Sequence, residues 1–159
     1  WHNSDKTFLE GMGVDVAKMV SRDDFREFLL KQLRTPPAEK AAYALIWLEN
    51  GEPVGHNNVN NIVIGKSASM HLHLWQPNLR RKGIGEQLLR LTLPKFFEVF
   101  DLQVLVCEPY ALNEAPNRVL EKLGFRFIRE YECIPGGHCF RQNVKRWELH
   151  RETLTRLIN

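Results

Sequence analysis

Arg80-Arg81-Lys82-Gly83-Ile84-Gly85 sets three cations and two glycines side by side. The hexapeptide lies between two patterned segments. Met70 to Trp75 alternates like a strand, and Gly85 to Phe100 has the apolar spacing of an amphipathic helix. Glycines at such a junction permit a tight turn and close approach of a ligand to the backbone. The free N–H groups of a first helical turn point outward, and the helix dipole favours an anion beside them. With the added positive charge, the combination describes a cradle for a pyrophosphate. Two better-known phosphate loops fit poorly. A Walker A loop needs Lys and Ser or Thr after its last glycine, but Gly85 is followed by Glu86-Gln87. A dinucleotide fingerprint needs a third glycine, and Leu88 stands in its place. By itself the loop also fits a solvated basic turn that only caps a helix.

Titratable groups cluster in sequence just before this loop. Period two sends His71, His73 and Trp75 to one side of their strand and Met70, Leu72 and Leu74 to the other. Imidazoles titrate near neutral pH and suit proton transfer, or they serve as satisfied polar groups on a half-buried strand. A His-x-His pair can also bind zinc, but no Cys, His or acid stands nearby in sequence to complete a site, so no metal is expected. Glu108 closes a second apolar segment, Leu102 to Glu108, and is either a functional carboxylate or the partner of an arginine such as Arg118.

The elements that must position these groups read as follows. Asp15 to Arg34 is a helix, with Val16, Met19, Val20, Phe25, Phe28, Leu29 and Leu33 at three- and four-residue steps. Ser21 or Asp23 caps its second segment, and Pro36-Pro37 stops it. Tyr43 to Leu48 is a strand apolar on both faces, and Asn50-Gly51 turns it into a hairpin. The returning strand, about Pro53 to Ile64, carries His56, Asn57, Asn58, Asn60 and Asn61, all poor strand formers. They line a pocket or lie on an exposed face. Pro94 should kink or end the helix beginning at Gly85, because a straight helix there costs about 3 kcal/mol. Leu102 to Glu108 reads as a buried strand, Asn117 to Leu123 as a helix capped by Gly124, and Phe125 to Ile134 with Phe140 to Leu149 as a hairpin. His150 to Asn159 forms a short polar helix. This order predicts a mixed α/β fold rather than a bundle or a sandwich.

Composition narrows the class. The chain has 159 residues, 43% of them hydrophobic, so one domain spanning 1–159 is expected. Lys plus Arg number 22 against 19 acids, a formal charge of +3, too weak a bias to argue for nucleic acid. No run approaches the roughly 20 apolar residues that cross a bilayer, so no membrane partner is expected. Trp1-His2-Asn3-Ser4-Asp5-Lys6 has neither the basic region nor the apolar core of a secretory signal. Three cysteines without framework spacing, Cys107, Cys133 and Cys139, read as reduced thiols of a cytoplasmic chain. A homodimer is left open.

Arg80-x-x-Gly83-x-Gly85 resembles the Gln/Arg-x-x-Gly-x-Gly/Ala signature of the GNAT acetyltransferases, which cradles the pyrophosphate of acetyl-CoA. A second block, Glu108-Pro109-Tyr110-Ala111-Leu112-Asn113 followed by Leu120-Glu121-Lys122-Leu123-Gly124-Phe125, is similar to a later part of the same family, in the same order. The resemblance implies a mixed, mostly antiparallel sheet splayed at a central V, with helices on both faces. It implies that the backbone from Arg81 through Lys82, Gly83 and Ile84 to Gly85 holds the pyrophosphate, with Arg80 opening the motif. It further implies that the main chain of Leu74 and Trp75 pairs with pantetheine, and that Asn113 touches pantetheine or the amine. The expected activity is transfer of an acetyl group from acetyl-CoA, as co-substrate, to a primary amine of a small molecule. Protein N-termini or lysines are the alternative acceptors, and a CoA-binding module without turnover is the alternative class. An alkylammonium must lose a proton before it attacks, which makes His71, Glu108 and His73 the candidate bases. Many family members carry a Tyr where this chain has Leu120; Tyr110 is the substitute acid that the sequence offers.

Overall fold

Asn50 and Gly51 both take positive φ, 52° and 85°, the geometry that matches a two-residue turn to strand twist. They join β1 (Ala42–Glu49) to β2 (Glu52–Val63), and β3 (Ser67–Leu74) returns along β2. The computed structural model describes residues 4–158, with side chains through Leu154. Trp1 to Asn3, at the start read for a secretory signal, and Asn159, the end of the expected tail helix, lie outside the described residues.

Six strands form one sheet in the order β1-β2-β3-β4-β6-β5, where β4 is Val104–Cys107, β5 Arg126–Cys133 and β6 Gln142–His150. Every neighbouring pair is antiparallel except β3–β4. A parallel pair needs a long crossover, and α3 (Ile84–Phe100) supplies it. Parallel pairing runs from Ser67 opposite Val104 to Met70 opposite Cys107 and stops there. Beyond Met70, β3 continues to Leu74 without β4 beside it. The element order and the mostly antiparallel open sheet agree with the fold class expected from the sequence.

The core lies under α3. Leu89, Leu93, Phe96, Phe97 and Phe100 pack with Val59, Met70, Leu105 and Leu149 in one buried cluster. The Tyr43 ring meets Phe96 and Phe100 edge to face, at centroid distances of 6.2 and 5.4 Å. Strand alternation therefore turns Asn57 and Val59 toward α3, and His56 and Asn58 away. Asn57 is fully buried. Its Oδ1 accepts from Thr92 Oγ1 at 3.0 Å, and its Nδ2 donates to the His71 carbonyl at 2.9 Å. A buried amide satisfied on both ends ties the helix to the strand carrying His71. The polar run in β2 thus divides, with Asn57 a core bracket and its neighbours on the opposite face.

Several local expectations change. The helix read over Asp15 to Arg34 divides into a short 3-10 turn, Val16–Lys18, and α2, Arg22–Arg34. Ser21 has extended backbone and its side chain accepts from Asp24 N–H, so the cap itself interrupts the helix. The apolar residues of α2 stay largely exposed, Leu33 at 78%. Pro94 does not end α3. The carbonyl its ring leaves without a donor belongs to Arg90, an exposed residue. α1 (Lys6–Gly11) precedes these elements. α4 (Glu114–Lys122) begins three residues before the expected Asn117, and α5 (Arg151–Ile158) closes the described chain.

Asn57→Ala is expected to cost roughly 1–3 kcal/mol, because it leaves buried partners unmatched. Urea unfolding at pH 7.5 checks this; a loss under about 0.5 kcal/mol would contradict the bracket.

Candidate functional site

Gly83 is the N-cap of α3, with φ 78° and ψ −7°, and Arg81 beside it also has positive φ, 62°. This left-handed turn brings the chain sharply into the helix. The first ladder bond runs from Gln87 N–H to the Gly83 carbonyl. The amides of Ile84, Gly85 and Glu86 thus precede the ladder and project from the helix start. A Cβ added at Gly83 or Gly85 would meet nothing within 4 Å, so space stands open beside the turn. Arg81 and Lys82 are exposed there.

Arg80 behaves differently from its expected place in the cradle. Its guanidinium donates to the Leu74 carbonyl, at 3.3 and 3.2 Å, and to the Trp75 carbonyl at 3.3 Å. It also lies 3.9 Å from the Phe8 ring centroid. Arg80 therefore clamps the end of β3. The main chain of Trp75 is likewise engaged, because its N–H donates to the Val54 carbonyl at 2.8 Å. Trp75 and the His71 carbonyl both turn toward β2. By alternation the main-chain groups of Leu72 and Leu74 turn the other way, into the gap that opens beyond Met70 and Cys107.

On the face away from α3, His56 and His73 are cross-strand partners with ring centroids 4.9 Å apart. Trp75 Nε1–H donates to His56 Nδ1 at 2.8 Å, which leaves the His56 ring proton on Nε2. His71 sits opposite Asn58 in the same register. Burial is the main force on all three imidazoles and holds them below the usual histidine range, His56 down to about 4. The neighbouring histidines, including His138 of the β5–β6 connection, add to this for His71 and His73, and Glu108 opposes it at His71. All three rings are uncharged at pH 7.

Glu108 follows the end of β4. Its Oε1 accepts from Tyr131 Oη at 2.6 Å and meets Arg146 Nη1 at 3.0 Å. Arg146 also pairs with Glu148 at 2.8 Å. Arg118, the partner expected for Glu108, pairs instead with Glu114 one helical turn away, at 2.7 Å. Tyr131 escaped the sequence reading, since only the order β4-β6-β5 brings a hairpin phenol to the end of β4. Burial and then Glu108 push its hydroxyl up.

Asn113 is the N-cap of α4 but makes no side-chain cap. Its carbonyl accepts from Asn117 Nδ2 at 2.8 Å, while Asn117 Oδ1 accepts from Trp147 Nε1 at 2.8 Å. Asn117 thus organises this helix start, a role the sequence did not reveal. Leu120 is fully buried in the core, and Tyr110 packs edge to face on Phe140 at 5.7 Å. Among the described residues, no group of three or more His, Cys, Asp or Glu side chains is placed to hold a metal ion.

The model of the acetyltransferase (GNAT) domain matches residues 3–126. The fold is similar to a Vibrio cholerae spermidine N-acetyltransferase solved with CoA and spermine, with a TM-score of 0.69 at 19% identity, over 86% of this chain and 79% of that one. It is also similar to an aminoglycoside acetyltransferase solved with coenzyme A and kanamycin, with a TM-score of 0.63 at 18% identity, over 75% of this chain and 72% of that one. No curated protein matches the chain.

The lowered imidazoles carry a stability signature. An unfolded histidine takes up a proton near pH 6.5, whereas the folded rings do so lower, His56 near 4. The unfolded chain thus binds more protons in that window, and this contribution, complete above pH 6.5, is lost as pH falls toward 4. Urea unfolding from pH 7.5 to 4.5 should show stability declining below 6.5, and declining less in His56→Phe. A variant curve parallel to the parent would contradict the burial.

Proposed function

Because this chain belongs to the GNAT acetyltransferase family, we propose that it transfers the acetyl group of acetyl-CoA to a primary amine of a small molecule, by direct attack within a ternary complex. The observation that carries this reading is the left-handed glycine turn at the mouth of the gap between β3 and β4. The open space at Gly83 and Gly85 fits a pyrophosphate, and the amides of the Arg81–Gly85 turn, with Arg81 and Lys82, hold it. Leu72 and Leu74 align pantetheine by strand addition, replacing the expected pair of Leu74 and Trp75. Asn113 keeps its proposed place at the pantetheine end. A small amine as acceptor is supported by the spermine and kanamycin found with the two solved relatives.

In the gap, Leu72 N–H bonds the thioester oxygen and stabilises the negative charge that attack places on it. His71 takes a proton from the ammonium, since its ring is uncharged at neutral pH. The amine nitrogen then bonds to the carbonyl carbon, the carbon–sulfur bond breaks, the nitrogen's excess proton passes to the departing thiolate to give the amide and free coenzyme A thiol, and His71 releases the first proton to solvent. Glu108 is held by Tyr131 and Arg146 and acts on His71 through its charge, not as the base. Leu120 leaves no acid at its place, and a thiolate departs without one because a thiol is intrinsically more acidic than an ammonium. The protein's own thiols are poor acyl carriers: burial pushes all three up, Cys107 to about 12. One continuous core cluster supports the single-domain expectation. Three unpaired cysteines support a cytoplasmic setting, and no helix among the described residues is long and apolar enough to cross a membrane.

Gly83→Val forces a β-branched residue into positive φ and crowds the turn, so calorimetry should show acetyl-CoA affinity down at least about tenfold, or 1.4 kcal/mol. Unchanged affinity would refute the cradle. His71→Ala should lower kcat about 10²-fold, the low end for a general base, with acetyl-CoA affinity intact. In the parent, the acid limb of kcat should have its midpoint below pH 6.5, because burial lowers the ring that must stay neutral. Full kcat in His71→Ala would remove the base assignment.

A further inference from the structure

Arg80 opens the cofactor motif, yet its side chain is already engaged elsewhere. Nε and Nη2 donate to the Leu74 carbonyl at 3.3 and 3.2 Å, and Nη2 also reaches the Trp75 carbonyl at 3.3 Å. The guanidinium carbon lies 3.9 Å from the centroid of the Phe8 ring, on α1. The chain after Phe8 then runs to β6. The Gly13 carbonyl accepts from Gln142 Nε2 at 2.9 Å, Val14 bridges to Cys139, and Asp15 N–H donates to the His138 carbonyl at 2.9 Å. The approach is tight, since a Cβ at Gly13 would collide with the Gln142 amide. Leu9 and Val14 are buried but stand outside the core cluster beneath α3. Residues 8–15 are thus a strap with one end on β3 and the other on β6.

These two strands are the arms of the gap. β4 ends at Cys107, opposite Met70 on β3 and Trp147 on β6, so residues 71–74 and 142–146 extend past it on either side. The first arm carries His71 and the Leu72 amide, and the second carries Arg146, which holds Glu108 at 3.0 Å. Past Met70, β3 is paired on one side only, and a half-paired strand end frays unless its last carbonyls are held. A guanidinium fork does this. Its donors are spent on carbonyls and its face on a ring, whereas Arg81 and Lys82 are exposed beside the turn and free to meet phosphate. Spacing matters because the thioester must meet the Leu72 amide while the ammonium meets His71, and a shift of about 1 Å costs up to roughly 10²-fold in rate. We infer that Arg80 is a positioning residue for the transfer step: it ties the end of β3 to the strap, the strap fixes the spacing of the two arms, and the coenzyme phosphates are left to its neighbours. This rests on the acetyl-transfer reading and assigns one residue within it.

The test compares the parent with Arg80→Gln by calorimetry, amide exchange and thiol-release kinetics. Rates are taken at saturating acetyl-CoA, with whichever of butylamine, spermidine and kanamycin the parent acetylates fastest. Arg80→Gln should bind acetyl-CoA within about fivefold of the parent. Its kcat should fall by at least about fivefold, and its Leu9, Met12 and Gly13 amides should exchange at least about fivefold faster. Phe8→Leu, which keeps an apolar side chain but removes the ring face, should also lower kcat, and the double variant should be no slower than Arg80→Gln alone. Affinity down more than about fivefold in Arg80→Gln would overturn the inference whatever the rate, by placing the guanidinium on the phosphates. Unchanged kcat or unchanged exchange would overturn it too, as would losses that multiply in the double variant. Should thermal melts show Arg80→Gln unfolded, Arg80→Lys decides. A point charge serves a phosphate, so a phosphate role predicts full kcat, whereas a fork across two carbonyls predicts a loss. No thiol release by the parent with any amine would remove the acetyl-transfer reading, and the affinity and exchange results would still place Arg80 on the strap or on the phosphates.

Discussion

Parallel pairing between β3 and β4 stops at Met70 and Cys107, and the site depends on that termination. A strand inside a sheet ordinarily has its N–H and C=O groups matched on both sides. Past Met70, β3 remains paired to β2 but loses its other neighbour. The main chain of Leu72 and Leu74 therefore faces a gap in the middle of the sheet, not at its edge. One of these groups, the Leu74 carbonyl, is satisfied by Arg80. The rest need water or an extended ligand. A long, flexible molecule with amide groups, such as the pantetheine arm of the proposed co-substrate, would meet that need.

The surrounding elements keep this opening in shape. α3 spans the crossover that parallel pairing requires, and its buried aromatic residues press the sheet from one side. Thr92, Asn57 and the His71 carbonyl form a continuous hydrogen-bonded link from the helix through β2 to β3. Arg80 fixes the end of β3 from the loop side. The helix that offers its amides to an anion and the strand that carries the imidazole are thus set at a fixed distance by buried contacts. On the opposite face, burial keeps the imidazoles uncharged, while Arg146 and Tyr131 hold the Glu108 carboxylate, whose charge reaches His71.

Local chemistry was legible in the sequence and distant pairing was not. The Asn50-Gly51 turn, the alternation of β3 and the glycine turn into α3 are all set by residues within a few positions of one another. Ser21 marks the division of α2 from the preceding turn, because its cap breaks a helix whose apolar spacing runs on either side of it. Pro94 does not end α3, although its type alone marks a place where a helix kinks or stops. Arg80 looked like part of the anion site by charge, yet Phe8 and two carbonyls claim it. Tyr131, Arg146 and His138 lie beyond residue 126, outside the matched family segment, and only strand order brings them to Glu108 and His71. The polar run of β2 required a known helix position before its two faces could be told apart.

Amide hydrogen exchange, read residue by residue with and without coenzyme A, tests the central claim most directly. If the gap in the sheet receives the pantetheine arm and the helix start receives the phosphates, the amides of Leu72, Leu74, Ile84, Gly85 and Glu86 gain protection together on ligand addition. Protection confined to other parts of the chain, with these five unchanged, would contradict the account.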